Sequence, residues 1–171
     1  MPPATRRPSR GSSSGPPPLT WEQAEPAPIV LVRGAEQLLV ERAVDRIVAR
    51  ARAADAEVGV ERTDAVEYTA GMLAVLTSPS LFSDAKVVVV DGLDRAGDDL
   101  MADALGYVAA PLDSAVVVLC HAGGQRGKAL LDAIRAAGAP EIVCDPITSD
   151  SDKLAFASAE LRRAGRRADG Q

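Results

Sequence analysis

The sequence contains few of the residues on which many active sites depend. One histidine and two cysteines occur among 171 residues, and aromatic residues make up only 3%. A single histidine, His121, at the end of an apolar run supports neither a Ser/His/Asp nor a Cys/His catalytic set. The cysteines, Cys120 and Cys144, have neither metal-ligand nor redox spacing, so we expect both to be free and buried and predict no metal site.

Long hydrophobic runs and a strong positive charge are also absent. No stretch of about 18 apolar residues occurs, which argues against a membrane span. The early arginines Arg6, Arg7 and Arg10 are not followed by an apolar block, so we predict no secretory signal and expect a cytoplasmic protein without a membrane partner. A net charge of −5 argues against a surface built as a whole to bind nucleic acid, although local basic patches are compatible with it.

Composition divides the chain into three parts. Residues 1–27 are rich in Pro, Ser and Gly, which predicts a disordered arm. Within this arm Trp21 is either loosely attached or docked on the body or a partner. Residues 28–145 are predicted to form an ordered domain. Pro146 marks the expected boundary of a second, helical domain over residues 146–171, of which we expect the chain to contain only the start.

Apolar runs alternate with helical patterns throughout the ordered part. The runs are mostly continuous rather than alternating in polarity, as in strands that are buried on both faces. This pattern predicts an α/β fold with a doubly wound parallel sheet and helices on both faces. The predicted strands are 29–32, 58–62, 87–90, 115–119 and 141–144; a helical pattern follows Gly34, and further helices are predicted over 65–76, 98–108, 128–137 and 151–163.

The first strand–helix turn is where a doubly wound domain most often binds a nucleotide. Here the turn is VRGAEQLLVERA, with one glycine and no lysine. Glu36 stands where the helix begins, so its carboxylate would occupy the positive end of the helix and repel a phosphate. We therefore predict no nucleotide site and no cofactor at this turn.

A second glycine-rich stretch, HAGGQRGKALL, supports an alternative function as a P-loop-like nucleotide-binding enzyme. It contains Gly123, Gly127 and Lys128, but Ala122 stands where the first glycine belongs and Ala129 replaces the hydroxyl residue that would bind Mg²⁺. A basic, flexible loop is the preferred interpretation. Arg126 and Lys128 are then candidate contacts for a phosphate backbone.

Asp91 follows the apolar run 87–90. In a phosphorylation receiver it would accept the phosphoryl group, and in a P-loop ATPase it would hold Mg²⁺. The companion residues that either chemistry needs are missing, so a turn-forming Asp-Gly pair is the preferred interpretation. We predict no catalytic residues.

The stretch SPSLFSDAKVVVVDGLD places two large apolar residues, Leu81 and Phe82, in a Pro/Ser turn before a strand. An exposed pair of this kind suits a pocket on a partner, and burying it would supply about 3–6 kcal/mol before ordering costs. Pro79 stiffens the turn, which lowers those costs. The alternative, equally supported by the pattern, is that Phe82 folds back under the sheet.

Three stretches together resemble the delta subunit of the bacterial DNA polymerase III clamp loader. PIVLVRGAEQLLVERAV is similar to the opening strand and degenerate nucleotide loop of that family. LTSPSLFSDAKVVVVDGLD is similar to its Ser-Leu-Phe segment and third strand, and SAVVVLCHAGGQRGKALLDAIRAAG to its fourth strand, polar loop and helix. The resemblance covers residues 29 to the end, and the Ser-Leu-Phe segment is its most specific part.

The resemblance implies an AAA+ ATPase-like fold with a decayed nucleotide site. Leu81 and Phe82, flanked by Pro79 and Ser80, would enter a hydrophobic pocket of the sliding clamp, and the protein would open the clamp ring for loading onto primed DNA. It would have no catalytic site of its own but would belong to a nucleotidyltransferase holoenzyme, with the clamp (beta subunit) and the other subunits of a hetero-pentameric loader as partners and DNA as an indirect one. Family members are about twice as long, so we expect this chain to be a fragment or a short form in which clamp binding survives better than loader assembly.

A third hypothesis is direct DNA binding. It would use Arg126 and Lys128 together with a cluster of arginines near the end of the chain, and it predicts a steep salt dependence of affinity. The alternative for this cluster is a solvated helix end, where positive charge suits the dipole. The cluster consists of Arg162, Arg163, Arg166 and Arg167.

Overall fold

A six-stranded sheet forms the centre of the protein in a computed structural model, which describes residues 15–79 and 84–168. Every strand pair in it is parallel, and the spatial order is β1-β6-β2-β5-β4-β3. The predicted parallel α/β sheet is therefore confirmed. The strands are β1 (Leu19–Thr20), β2 (Ile29–Arg33), β3 (Gly59–Asp64), β4 (Lys86–Asp91), β5 (Ala115–His121) and β6 (Glu141–Val143).

Helices cover both faces of this sheet, as predicted. Alternate residues of a strand point to opposite faces, and in β4 Val87 and Val89 pack into one core while Val88 and Val90 pack into the other. The first core includes α1 and the second includes α2, α3 and α4. The helices are α1 (Gln37–Ala54), α2 (Met72–Thr77), α3 (Asp98–Ala109), α4 (Lys128–Ala136) and α5 (Asp150–Ala168).

The segment between β3 and β4 differs from the predicted helix 65–76. The Oδ1 atom of Asp64 accepts a hydrogen bond of 2.8 Å from the backbone N–H of Val66, which turns the chain at the end of β3. Gly71 then adopts a left-handed conformation with φ of +82° directly before α2. These two turns delay the helix, which has only six residues, Met72–Thr77.

Part of the predicted disordered arm is instead ordered against the sheet. Leu19 and Thr20 pair in parallel with Ile142 and Val143 of β6, and a 3-10 turn, Trp21–Gln23, follows. Ala24 is completely buried against the α1 side of the sheet. Two paired residues and one buried alanine are enough to fix a short segment at a sheet edge, and two-residue pairing is too short to leave a strand pattern in the sequence. Residues 1–14 lie outside the described part.

Trp21 docks on the body instead of being loosely attached. Its ring meets that of Phe156 in α5 edge to face, with centroids 5.9 Å apart. Arg42 of α1 forms an ion pair with Glu160, also in α5. Helix α5 therefore contacts the α1 side of the α/β body, while the assignment of residues 146–171 to a second domain stays a prediction.

Candidate functional sites at the two edges of the sheet

The predicted clamp-binding segment belongs to the connection between α2 and β4. The described end of this connection leads into β4 at Lys86, at the amino edge of the sheet, opposite the edge where β2 and β4 end. Pro79 is exposed. The remaining predicted residues, Ser80, Leu81 and Phe82, lie outside the described residues, so their choice between an exposed anchor and a buried position stays a prediction.

Helix α2 leads into this segment, and its start is held by side chains outside the helix. The hydroxyl of Tyr68 accepts a hydrogen bond of 2.8 Å from the N–H of Leu73 and donates one of 2.7 Å to Oδ2 of Asp103 in α3. The same Asp103 oxygen accepts a bond of 2.6 Å from the N–H of Gly71. At the other end the hydroxyl of Thr77, which is buried, donates to the carbonyl of Leu73 at 2.8 Å.

This environment holds the Tyr68 hydroxyl in its neutral form. Burial raises the pKa of Tyr68 above its ordinary value, and the hydrogen bond to the Asp103 carboxylate raises that pKa further. Tyr68 therefore remains a hydrogen-bond donor to Asp103 throughout the physiological pH range.

The opposite, carboxyl edge contains the turn where a nucleotide would bind. Carbonyl groups at the ends of β5 and β6 accept hydrogen bonds from this turn. The N–H of Gly34 donates to the carbonyl of His121 at 3.0 Å, and the N–H of Glu36 donates to that of Cys144 at 3.2 Å. A Cβ atom at Gly34 would lie 2.1 Å from the Cys144 oxygen. Two amides that a phosphate would need are therefore bonded to carbonyls, and the end of β6 approaches the turn closely.

Asp91 has an arginine as its partner at this edge. Nε of Arg62 lies 2.5 Å from Oδ2 of Asp91, and a second bond of 3.1 Å joins Nη2 to Oδ1. The same guanidinium makes bonds of 3.1 and 2.6 Å to the two carboxylate oxygens of Glu41 in α1. Hydrogen bonds to both carboxylates raise the pKa of Arg62 above its ordinary value. The position that would bind Mg²⁺ in an ATPase is thus occupied by a fixed positive charge.

The cleft around this network has a volume of about 390 Å³ and is acidic. Four carboxylates line it against two guanidinium groups, so negative charges exceed positive ones by two. A polyphosphate would meet net repulsion here. Among the described residues, no group of three or more His, Cys, Asp or Glu is arranged to hold a metal ion. The charged lining residues are Glu41, Asp64, Asp91, Asp94, Arg62 and Arg95.

Both cysteines lie near this edge, and both are free and buried, as predicted. Burial raises the pKa of the Cys144 thiol to about 11. Burial raises the pKa of the Cys120 thiol even more. Both thiols are therefore protonated at neutral pH, and this state leaves little thiolate for nucleophilic chemistry.

The glycine-rich loop after β5 is organised around His121, which is buried. Nδ1 of His121 accepts a bond of 2.9 Å from the N–H of Gly123, and its Nε2 lies 3.0 Å from the carbonyl oxygen of Arg126. The N–H of Ala122 donates to Oδ1 of Asp94 at 3.0 Å. These contacts fix the loop, so the predicted flexible loop is instead held by one histidine and one aspartate.

Arg126 and Lys128, the predicted DNA contacts, are placed differently. Arg126 is exposed, and its guanidinium donates to the carbonyl of Ala96 at 3.1 and 2.5 Å. The Lys128 side chain is 70% exposed and pairs with Asp132, one helical turn along, at 2.5 Å. Both residues are therefore exposed, and a role for either of them in DNA binding stays a prediction.

Three comparisons with known proteins bear on the fold. No protein-family model matches the chain, and no curated protein matches it significantly. Among solved structures, the chain is similar to the Bacillus subtilis DNA clamp loader delta protein (YqeN), with a TM-score of 0.53 and 16% sequence identity. The similarity covers 74% of this chain and 41% of that one, so this chain matches less than half of the length of the solved structure. At this identity the likeness shows a common fold.

Sequence reasoning missed the ion pair at the carboxyl edge and the side-chain pair at the start of α2. Arg62 and Asp91 are 29 positions apart, and Tyr68 and Asp103 are 35 positions apart. No local spacing connects either pair. The one available signal was the placement of Asp64 and Asp91 at the ends of neighbouring strands, which meet at one sheet edge.

In the described part of the chain, no helix is both long and apolar enough to cross a membrane.

Proposed function

We propose that this chain is a clamp-binding module of the delta type, which contacts a sliding clamp through Leu81 and Phe82 and helps to open its ring. The observation that carries the proposal is the Ser80-Leu81-Phe82 segment between a short anchored helix and a buried strand. Support comes from the fold, which is similar to that of a protein described as a DNA clamp loader delta protein.

The carboxyl edge supports a role without nucleotide hydrolysis. The first strand–helix turn uses two of its amides to bind carbonyls, and Asp91 is paired with Arg62. A module of this kind would depend on partner subunits for energy. The other subunits of a clamp loader are the proposed partners. DNA is contacted indirectly, and Arg126 and Lys128 are the candidates for any direct contact.

The proposed interaction has an expected strength, because Leu81 and Phe82 would be buried in a pocket of the clamp. Leu81 and Phe82 would supply about 3–6 kcal/mol before ordering costs, which is enough to dominate a small interface. Binding can open a ring only by as much as the module prefers the open clamp over the closed one. The proposal therefore requires tighter binding to an open or monomeric clamp than to the closed ring.

Calorimetric titration of the chain with the sliding clamp of its own organism tests the proposal. We expect a saturable interaction, and a stronger one with a clamp whose ring interface has been weakened by mutation. A folded chain that produces no binding to either form of the clamp contradicts the proposed function.

A further inference from the structure

His121 is the only histidine in the chain, and just 1% of its surface is exposed. It ends β5, and the glycine-rich loop 122–127 follows it before α4 begins at Lys128. The proposed function makes no use of this side chain. Histidine is the side chain that ordinarily changes charge between about pH 5 and pH 8. A buried histidine that holds a loop can therefore make the position of that loop depend on pH.

The two ring nitrogens bind the loop at two points, and together these bonds select one neutral tautomer. Nδ1 accepts a hydrogen bond of 2.9 Å from the N–H of Gly123, so Nδ1 carries no proton. The proton of the neutral ring is then on Nε2, which donates to the carbonyl of Arg126 at 3.0 Å. The neutral ring thus satisfies both partners at once.

Protonation of Nδ1 would break the bond at one of these two points. The added N–H would point at the N–H of Gly123, so two donors would face each other, whereas Nε2 would keep its bond to Arg126. A buried donor without an acceptor is unfavourable, and so is a charge in a buried position. Protonation is therefore expected to release the loop at Gly123.

The loop has other conformations available once this bond is lost. Gly123 and Gly124 have positive φ angles of +123° and +93°, and a Cβ atom at either position would meet nothing within 4 Å. Glycine adopts such conformations and others at little cost, because it has no Cβ atom. Open space around two adjacent glycines allows this part of the loop to move without displacing its neighbours.

The charged groups on the elements around His121 are of both signs, and several are paired with one another. Arg33 lies beside His121 in the register of β2 and β5, and it is 3.7 Å from Glu141 in β6. The ring itself is bonded to backbone groups at both nitrogens. Besides the six charged residues that line the acidic cleft, the charged groups on these elements are Arg33, Asp98, Asp99, Arg126, Lys128, Asp132, Arg135 and Glu141.

We propose that His121 is a pH-sensitive switch for the glycine-rich loop, in which the neutral ring holds the loop in place and protonation at Nδ1 releases it at Gly123. Ala122 lines both the acidic cleft and a second cavity of about 460 Å³, which Gly34 and Gly123 also line. Release of the loop therefore changes the shape of both cavities at the carboxyl edge. The inference is independent of clamp binding.

Nuclear magnetic resonance of the isotope-labelled chain, titrated from about pH 8 to about pH 5, tests the switch. Nitrogen shifts of the single imidazole report its tautomer and its protonation, and the N–H signal of Gly123 reports the hydrogen bond. We expect the Nε2–H tautomer at high pH and loss of the Gly123 bond at the same midpoint as ring protonation. Amide exchange of Gly123, corrected for its intrinsic pH dependence, should rise about fivefold to tenfold, whereas exchange of Val118 in β5 should not change.

His121→Asn separates the switch from a general effect of acid. The asparagine side-chain oxygen can accept the N–H of Gly123 but does not titrate, so the loop signals of this variant should not respond to pH. A ring that stays neutral to pH 5 in the folded chain overturns the proposal, as does protonation without a change at Gly123. Exchange of Val118 that rises together with that of Gly123 shows unfolding of the whole domain and also overturns it. If His121→Asn does not fold, the titration of the parent decides between these outcomes.

Discussion

Arg62 binds both carboxylate oxygens of Asp91, at 2.5 and 3.1 Å, across the ends of β3 and β4. Together with Glu41 this forms a three-residue ion network at the edge of the sheet where doubly wound proteins bind ligands. A charged side chain of the protein thus takes the place that a metal ion would occupy. The fold is a parallel α/β sheet, and the charges at its carboxyl edge are unfavourable for an anionic ligand.

The first prediction concerns the stability that this network contributes. Arg62→Ala leaves Glu41 and Asp91 without their shared cation, and we expect a loss of about 1 kcal/mol in the free energy of unfolding, since exposed pairs contribute little singly and more in networks. Arg50→Ala is the control, because Arg50 makes one exposed pair with Glu25. Urea unfolding measures the free energy of unfolding of both variants. An equal loss in Arg62→Ala and Arg50→Ala would show that the network stabilises the fold no more than a single exposed ion pair.

The second prediction concerns nucleotides. ATP with Mg²⁺ should produce no binding heat, because the cleft at the carboxyl edge is acidic and two turn amides are already bonded. Lys128→Ala serves as the control for the loop after β5. If the parent binds ATP and Lys128→Ala does not, the result supports the P-loop-like alternative. It also contradicts the prediction that the protein binds no nucleotide.

The third prediction concerns pH. In Tyr107→Phe the remaining tyrosine is Tyr68, whose pKa is raised above the ordinary value of 10.0 by burial and by Asp103. Its folded pKa exceeds its unfolded pKa, so its stabilising contribution is complete below pH 10 and is lost as the pH rises beyond it. Tyrosinate absorbance measures the midpoint directly. Adding Asp103→Asn should lower the midpoint, and a midpoint near 10 before that change would contradict the hydrogen-bonded geometry.

The fourth prediction concerns the contact between Trp21 and Phe156. Phe156→Ala should expose Trp21 and shift its fluorescence to longer wavelength. It should cost more than the roughly 0.5–1.5 kcal/mol that an aromatic pair contributes beyond its buried area, because the mutation also removes apolar contact. Leu154→Ala is the control on the same helix, because Leu154 is 70% exposed. An unchanged spectrum in Phe156→Ala would show that α5 does not pack on the arm in solution. Trp21 is the only tryptophan in the chain, so the signal has one source.

The sheet was predictable because burial on both faces leaves a continuous apolar run. Val87, Val88, Val89 and Val90 are all buried, and the sequence alone indicates this strand. The edge strands were harder to predict. Leu19–Thr20 is too short to show a pattern, and β3 includes exposed, charged Glu61 and Arg62 at the sheet margin.

The sites were predictable to a smaller extent. Glu36 at the first turn indicated an unfavourable phosphate site from the sequence alone, because a charge at a helix start is visible locally, and the absence of a phosphate site stays a prediction. The ion pair of Arg62 with Asp91 and the bond between Tyr68 and Asp103 join distant parts of the chain, so they appear only after folding. The Ser80-Leu81-Phe82 segment was found from its unusual apolar pair in a turn, and its role is still to be tested.

The most direct test of the account compares clamp binding by Leu81→Ala/Phe82→Ala with that by the parent chain. Leu154→Ala/Leu161→Ala is the matched control, because these two leucines are 70% and 74% exposed and belong to α5. Circular dichroism confirms that each variant is folded before titration. We expect the parent and the α5 variant to bind the clamp equally, and Leu81→Ala/Phe82→Ala not to bind it. Equal binding by all three proteins would show that the proposed site is wrong and that another part of the chain binds the clamp.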